Sequence, residues 1–213
     1  MKTKILPIQD PNASATALAL LTAQQIIAAP TDTVYGLMCR YDSAAAIELL
    51  YEAKQRPPQK AIPVLIGDQT QLTLVTPSPI SSLAQSLMAR FWPGPLTLVL
   101  PALASLPTIL TAGQPTVAVR MPDHTALRQL ITLAGPLAAT SANISGGPDS
   151  ATVAQVLAQL DGHIPLVLAD DESERTALPS TIVDLTDSPP RLLRPGPIAD
   201  AVRALLQTFG HSC

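Results

Sequence analysis

Six short apolar segments of this 213-residue chain do not alternate polar with apolar residues. Strands of that kind are buried on both faces, so they belong inside a sheet that helices cover on both sides. The segments are IPVLIG (62–67), PLTLVLPA (95–102), TVAVRMP (116–122), PLAATSAN (136–143), IPLVLAD (164–170) and STIVDLT (180–186). Helical patterns lie between them, which predicts an α/β fold. Short connections near the C-terminus favour a mixed sheet.

Six segments are predicted to form helices, because each follows a capping residue or a proline and repeats apolar residues at helical spacing. They start at Asn12 or Ser14 (through about Gln25), Asp42 or Ser43 (44–54), Ser78-Pro79 (80–91), Asp123 (124–135), Ser150 or Thr152 (153–162) and Pro197 (198–210). The length of the chain favours one domain over two.

Charged residues make up 14% of the chain and hydrophobic residues 47%. This composition excludes a disordered chain and a coiled coil. The net charge of −3 excludes an overall cationic surface that holds nucleic acid by charge alone. Cys39 and Cys213 make no CxxC spacing, so neither a disulfide framework nor a Cys-rich zinc site is predicted. We interpret Cys39 as a small buried hydrophobe.

The N-terminal sequence lacks the pattern of a targeting segment. MKTKILPIQDPN reaches an aspartate and two prolines before any long apolar stretch, unlike a signal peptide. The apolar segment 13–29 contains five serine, threonine and glutamine residues and falls short of the ~20 apolar residues that a membrane span needs. We therefore predict a soluble, cytoplasmic protein without a membrane segment.

Several widespread catalytic motifs are missing from the sequence. It contains no GxxxxGK phosphate loop, no GxGxxG, no GxSxG and no HExxH. We interpret His124 and His163 as surface or capping residues and His211 as part of a frayed tail. Chemistry is therefore expected from hydroxyl, amide and cationic side chains in loops, without a dedicated metal site.

Three loops carry such groups. PTDTVYG (30–36) offers hydroxyl groups and backbone N–H groups after the apolar QIIAA. Lys54 and Arg56 lie two residues apart before a proline, which favours extended backbone and lets both cations face one phosphate or carboxylate. Ser141 and Asn143 have the same spacing after a buried strand. Each loop alone is also consistent with an ordinary turn, a cap or helix-end charges.

Two more arginines end or flank apolar strands. Arg120 ends TVAVR, and Arg194 lies in RLLRPGP. Burying an arginine without an anionic partner is costly, so each is expected to have a ligand or a salt bridge. Cations gathered beside proline and glycine turns in a charge-poor chain predict a site for an anion.

Taken in order, these segments resemble the YrdC-like family of threonylcarbamoyl-AMP synthases. The matching segments are PTDTVYGL (30–37), KxR at Lys54 and Arg56, FWPGPLTLVL (91–100), TVAVRMPDH (116–124), SxN at Ser141 and Asn143, PSTIVDL (179–185) and LLRPGP (192–197). Each is weak alone, and together they are specific. The resemblance covers about 15–205. It implies a short form with a single YrdC-like domain over 1–213, a twisted mixed sheet with helices on both faces, and a concave ligand cavity.

The resemblance also implies a reaction. L-Threonine, bicarbonate and ATP would give threonylcarbamoyl-AMP and pyrophosphate, for t6A modification of tRNAs that read ANN codons. ATP is then a substrate, Mg²⁺ is expected to bridge its phosphates, and tRNA and t6A-transfer proteins are expected partners. Because these substrates are anionic, fixed cations, hydroxyl groups and N–H donors suit the chemistry without a histidine base.

Carried over position by position, the resemblance implies three sets of site residues. Those that contact threonine are Thr33, Arg120, Ala139 through its backbone, and Ser180. Those that line the ATP site are Arg56, Lys60, Thr116, Ser141 and Arg194. The catalytic set is Lys54, Arg56, Ser141 and Asn143, in which Lys54 and Asn143 contact phosphate and carbamate.

The sequence departs from the family pattern at two places. Leu65 stands where some members have a histidine that contacts threonine. After SAN, the stretch that can supply an ATP-binding serine reads GGPDS (146–150). Asp149 would repel phosphate, so either Ser150 substitutes for that serine or the contact is absent.

Two other functions stay open. The chain could be a YciO-like paralogue with a different or weaker nucleotide activity, which the motifs separate poorly from a synthase. It could also be a double-stranded RNA or tRNA-binding module. The net charge of −3 and the low aromatic content of 3% disfavour strong RNA affinity.

Overall fold

A mixed β-sheet forms the centre of the protein. The structure is a computed structural model and describes residues 2–170 and 178–210. The strands are β1 (Lys4–Pro7), β2 (Ile27–Ala29), β3 (Gly36–Arg40), β4 (Val64–Leu65), β5 (Leu96–Pro101), β6 (Thr116–Arg120), β7 (Leu137–Ser141), β8 (Leu166–Ala169), β9 (Thr181–Asp184) and β10 (Arg191–Arg194). Their order is β1-β8-β2-β3-β7-β4-β6-β5-β9-β10, with parallel and antiparallel neighbours. The predicted α/β class with a mixed sheet is confirmed.

Helices connect many of the strands. They are α1 (Ala13–Thr22), α2 (Ala44–Lys54), α3 (Ser82–Phe91), α4 (Thr108–Thr111), α5 (Thr125–Ala134), α6 (Val153–Leu160) and α7 (Ala199–Thr208), with a 3₁₀ helix at Gln69–Leu74. The six predicted helices are present. The 3₁₀ helix and α4 escaped prediction because neither is long enough to show a helical repeat. Within the described residues, no helix is long and apolar enough to cross a membrane.

Side-chain caps decide where several helices begin. The Thr152 hydroxyl and the Gln155 side chain form a capping box at the start of α6. The prediction that Asp123 caps α5 is wrong, because His124 is the cap: its Nδ1 accepts from the Leu127 N–H at 3.2 Å. The capping role considered for His124 is thus confirmed, although its side chain is buried.

Six strands lie in the predicted apolar segments, and β2 lies in the apolar QIIAA before Pro30. The other three described strands were not predicted from the sequence. β3 directly follows the loop around residues 30–36, and no polar residue marks where that loop becomes a strand. β1 and β10 are the two edge strands and are largely exposed or half-buried, so they lack a continuous apolar signal. Their pairing partners decide that they are strands.

The helices cover the two faces of the sheet unequally. One face packs against α2, α3, α6 and α7 in a core that spans most of the sheet. The other face packs against α1 and α5, with core residues from β2, β3, β4, β7 and β8. Side chains alternate along a strand, so the residues between the buried positions of β5, β6 and β9 point away from the larger core. Thr97, Ala118 and Ile182 are three of them, and they line a cavity.

Cys39 is fully buried in β3, as predicted. Burial raises the pKa of its thiol to about 12, so the side chain behaves as a small apolar group. Cys213 and His211 lie outside the described residues.

Candidate active site

The cavity has a volume of about 380 Å³. That volume lies within the range of about 300–1,000 Å³ that is usual for small-molecule sites. Loop residues from 30–36 and from the segments after α2 and before β9 surround the floor formed by the sheet. Seven of the predicted site residues line it: Thr33, Arg56, Arg120, Ala139, Ser141, Ser180 and Arg194. Residues far apart in the chain therefore meet at one cavity.

Arg120 is held in place at the end of β6. Its Nε donates to the Gly94 carbonyl at 3.0 Å, and its Nη1 donates to the Thr33 hydroxyl at 2.9 Å. Its Nη2 forms an ion pair with Asp32. Burial lowers the pKa of the guanidinium, and the charge of Asp32 opposes that shift. Arginine has five N–H donors, so two of them remain for a ligand.

Thr33 has little freedom to rotate its hydroxyl. The Thr31 hydroxyl donates to the Val34 carbonyl at 2.7 Å, so the 3.0 Å contact between Thr31 and Thr33 must use the Thr33 proton. Thr33 also accepts from Arg120. One lone pair of the Thr33 hydroxyl therefore remains. Thr33 would accept a hydrogen bond from a ligand and would not donate one to it.

A second arginine lies on the other side of the floor. The Arg194 Nε donates to the Ser180 carbonyl at 2.8 Å, and Nη2 donates to the Ser180 hydroxyl at 3.1 Å. That hydroxyl also contacts the Thr97 hydroxyl at 2.7 Å. Thr97 was not predicted as a site residue. The one mark it leaves in the sequence is a polar side chain between two leucines, and the register of β5 decides that it faces the cavity.

Arg56 is held by backbone carbonyls and by the Tyr51 hydroxyl. Its Nε donates to the Lys60 carbonyl at 3.2 Å and its Nη2 to the Ala61 carbonyl at 2.9 Å. Within residues 2–170 and 178–210, no carboxylate lies at ion-pair distance from Arg56 or from Arg194. Burial lowers the pKa of both guanidinium groups. Two partly desolvated cations facing a cavity without a paired anion favour an anionic ligand.

Lys54 lies beneath the cavity rather than in its wall, with 1% of its surface exposed. Its ammonium group donates to the Ser141 carbonyl, to the Asn143 carbonyl at 2.5 Å and to Asn143 Oδ1 at 3.2 Å. These three contacts match the three protons of the group. In this structure Lys54 therefore fixes the loop after β7, and its contact with a substrate phosphate stays a prediction.

Asn143 is buried in the same network. Its Nδ2 donates to the carbonyls of Ile144 (3.0 Å) and Gly147 (2.8 Å), so its Oδ1 is the acceptor for Lys54. The Ser141 hydroxyl donates to that Oδ1 at 2.5 Å. Asn143 does not line the cavity, whereas Ser141 does.

The remaining predicted residues are placed as follows. Lys60 is exposed and Thr116 is half-buried where β6 begins, and neither lines the cavity. The Ala139 N–H already donates to the Pro63 carbonyl at 2.8 Å, so a backbone contact with a ligand would need its carbonyl. Leu65 lines the cavity, as expected if it occupies a ligand-contacting position.

Ser150 does not supply the substitute hydroxyl that the sequence left open. It is fully buried, and its hydroxyl donates to the Ala142 carbonyl at 2.8 Å. Asp149 is the residue of this loop that lines the cavity. Of these two alternatives, the structure favours the absence of this serine contact.

Lys54 makes the stability of the protein depend on pH. Burial and the charge of Arg56 lower the pKa of Lys54 from its ordinary value of 10.5 to about 8. Between these two pH values the unfolded chain binds more protons, so the free energy of unfolding rises with pH. Across this window, we expect the free energy of unfolding of wild type to rise by up to about 3 kcal/mol relative to that of Lys54→Met. Urea unfolding of both proteins at pH 7, 8.5 and 10, a series chosen to span roughly that window, measures the difference; a constant difference would contradict the lowered pKa.

Comparison with known proteins identifies the family. The family model Sua5_yciO_yrdC, described as "Telomere recombination", matches residues 19–196. The chain is 42% identical over 198 residues to the Bacillus subtilis threonylcarbamoyl-AMP synthase, which covers 92% of the chain and 56% of that protein. It is 39% identical to a putative threonylcarbamoyl-AMP synthase of Mycobacterium tuberculosis, over 91% of the chain and 88% of that protein.

A solved structure is similar over a comparable length. The crystal structure of Sua5 from P. abyssi in complex with L-threonine has a TM-score of 0.89 and 37% identity, over 95% of this chain and 61% of the other. The chain thus spans little more than half the length of the Bacillus relative and of the P. abyssi protein. The family model and these similarities show that the chain belongs to the Sua5/YciO/YrdC family.

Proposed function

We propose that the chain binds L-threonine and ATP in the cavity and makes threonylcarbamoyl-AMP, as a nucleotidyltransferase. The threonine amine and bicarbonate form a carbamate with loss of water, a carbamate oxygen attacks the α-phosphorus of ATP, and pyrophosphate leaves. The observation that carries this proposal is the meeting of Arg56, Arg120 and Arg194 at one cavity. Three fixed cations can hold the carboxylate and phosphate charges together and stabilise the charge that develops at phosphorus.

The Arg120 side of the cavity suits an amino acid. The two free N–H donors of Arg120 can hold the threonine carboxylate, and the lone pair of Thr33 can accept from an amine or hydroxyl group. The P. abyssi relative was crystallised with L-threonine, which supports the same ligand here. Ser180 and Thr97 add two hydroxyl groups next to Arg194.

Arg56, Arg194 and Ser141 would then hold the nucleotide. Each arginine retains N–H donors after its bonds to carbonyl and hydroxyl oxygens, which suits phosphate oxygens. Mg²⁺ would accompany the triphosphate and neutralise part of its charge. We propose that the product serves t6A modification in the cytoplasm, where tRNA and t6A-transfer proteins would be its partners.

Incubation of the purified protein with ATP, L-threonine and bicarbonate tests this function. Mass spectrometry should detect threonylcarbamoyl-AMP, with one pyrophosphate released for each adduct formed. Omitting threonine or bicarbonate should remove the product. ATP turnover without the adduct would favour the YciO-like alternative. Salt-dependent tRNA binding without ATP consumption would favour the RNA-binding alternative.

Ser141→Ala is expected to weaken the binding of a non-hydrolysable ATP analogue by about 1–3 kcal/mol, because a hydrogen-bonding group that lines the cavity is lost. Calorimetric titration of both proteins measures this change. Ser82→Ala is the matched control, since Ser82 is exposed in α3 and lies outside the cavity wall. Equal affinity of Ser141→Ala and wild type would remove Ser141 from the nucleotide site.

A further inference from the structure

One acidic side chain faces the cavity whose other charged groups are cations. Among the described residues that line it, Asp149 is the one carboxylate. Burial lowers the pKa of Lys54 and of Arg194, and the negative charge of Asp149 opposes both shifts. Asp149 is therefore close enough for its charge to act on both cations, but it forms no ion pair with either. Its oxygens are available at the cavity.

The Ser141 hydroxyl also presents lone pairs to the cavity. Its proton is committed to Asn143 Oδ1 at 2.5 Å. That oxygen cannot exchange places with the amide nitrogen, because the nitrogen donates to two carbonyls and Lys54 donates to the oxygen. Ser141 is therefore held as an acceptor toward the cavity, so it would contact the nucleotide through a donor group or a bound metal ion rather than through a bare phosphate oxygen.

Ser141, at the end of β7, and Asp149, in the loop before α6, belong to segments that are tied together. The residue after Asp149, Ser150, donates to the carbonyl of the residue after Ser141, Ala142, at 2.8 Å. The Tyr35 backbone joins the same segments, since its N–H donates to Ser150 O and its carbonyl accepts from Ala142 N–H, each at 2.8 Å. The backbone segments that carry Ser141 and Asp149 are thus held next to each other, and both residues line the cavity.

We propose that Asp149 and Ser141 form the protein's half of a subsite for the Mg²⁺ that enters with the nucleotide. Mg²⁺ prefers one or two carboxylates together with substrate phosphates and water, and a Ser or Thr hydroxyl with an aspartate holds it in many nucleotide-hydrolysing enzymes. The donor set here has that composition. A bound Mg²⁺ would attract both Asp149 and phosphate, which otherwise repel each other. This inference rests on the proposed function, because the nucleotide brings the metal.

Titration with adenosine 5′-(β,γ-imido)triphosphate, in Mg²⁺ and separately in chelator, tests the subsite without relying on activity. Mg²⁺ should tighten binding by wild type. Asp149→Asn should reduce that Mg²⁺-dependent gain by about tenfold or more, as for other lost metal-site groups. In chelator, Asp149→Asn should bind the analogue at least as tightly as wild type, because a like charge is gone. Glu48→Gln, an equal charge change on exposed α2, should match wild type.

The outcomes separate the two proposals. An Asp149→Asn protein whose Mg²⁺-dependent gain equals that of wild type would overturn the subsite, and would show that Asp149 merely repels phosphate. In that case wild type would still bind the analogue and make the adduct, so the proposed function would stand. A wild-type protein that bound the analogue in neither condition would overturn both. Asp149 is exposed, so the variant should fold, which urea unfolding checks.

Discussion

Arg56→Ala is expected to slow ATP- and threonine-dependent pyrophosphate release by at least about a hundredfold, which is the loss seen when one donor to a developing anion is removed. The fold should persist, because the carbonyls that Arg56 leaves behind belong to Lys60 and Ala61, which are exposed and can bind water. A coupled pyrophosphate assay gives the rate, and urea unfolding checks the fold.

Two further variants make this result specific. Arg56→Lys keeps the charge but loses the planar, two-point donor, so it should recover part of the rate. Arg90→Ala removes an exposed arginine at the end of α3, outside the cavity wall, and should match wild type. Arg56→Ala at the wild-type rate would show that this guanidinium does not act on the substrates.

Arg120→Ala is expected to have two effects, because Arg120 is both buried and paired. Removing it leaves the Asp32 carboxylate without its partner, so the free energy of unfolding should fall by about 3–5 kcal/mol. L-Threonine binding should also be lost, because Arg120 is the proposed partner of the threonine carboxylate. Urea unfolding and calorimetric titration with L-threonine measure the two effects.

The double variant Arg120→Ala with Asp32→Asn separates them. It replaces the unpaired Asp32 carboxylate by a neutral amide, so most of the lost free energy of unfolding should return. L-Threonine binding should stay absent, because the cation is still missing. A double variant that bound L-threonine as wild type does would take Arg120 out of the amino acid site. A single variant as stable as wild type would contradict the importance of the ion pair.

Much of the fold followed from local patterns in the sequence. The apolar segments around β5, β6, β7, β8 and β9 and the six helical segments were predictable, because burial on two faces and helical periodicity leave a mark on neighbouring residues. β1 and β10 were not predictable, since each is completed by a partner distant in sequence and is partly exposed. The start of α5 moved from Asp123 to His124 because the two side chains compete for one capping position.

The candidate site divides in the same way. Four site residues could be predicted from the sequence, because each is a cation or a hydroxyl group next to a turn. All four line one cavity: Arg56, Arg120, Ser141 and Arg194. Lys54 looked equivalent to Arg56 at a spacing of two. It is instead buried under the cavity wall, because the end of α2 turns through a left-handed residue at Gln55. Thr97 was hidden in an apolar strand, and only the register of β5 shows that it faces the cavity.

By itself the sequence determined which groups could do chemistry, since residue types and spacings limit a charge-poor chain to guanidinium, hydroxyl and amide groups. The tertiary structure alone decided which of them face the same space. Helices α1 and α5 cover only part of one face of the sheet, and the strands beside the uncovered part come from separate segments of the chain. Side-chain direction there depends on strand pairing between distant residues, and that is information no local pattern contains.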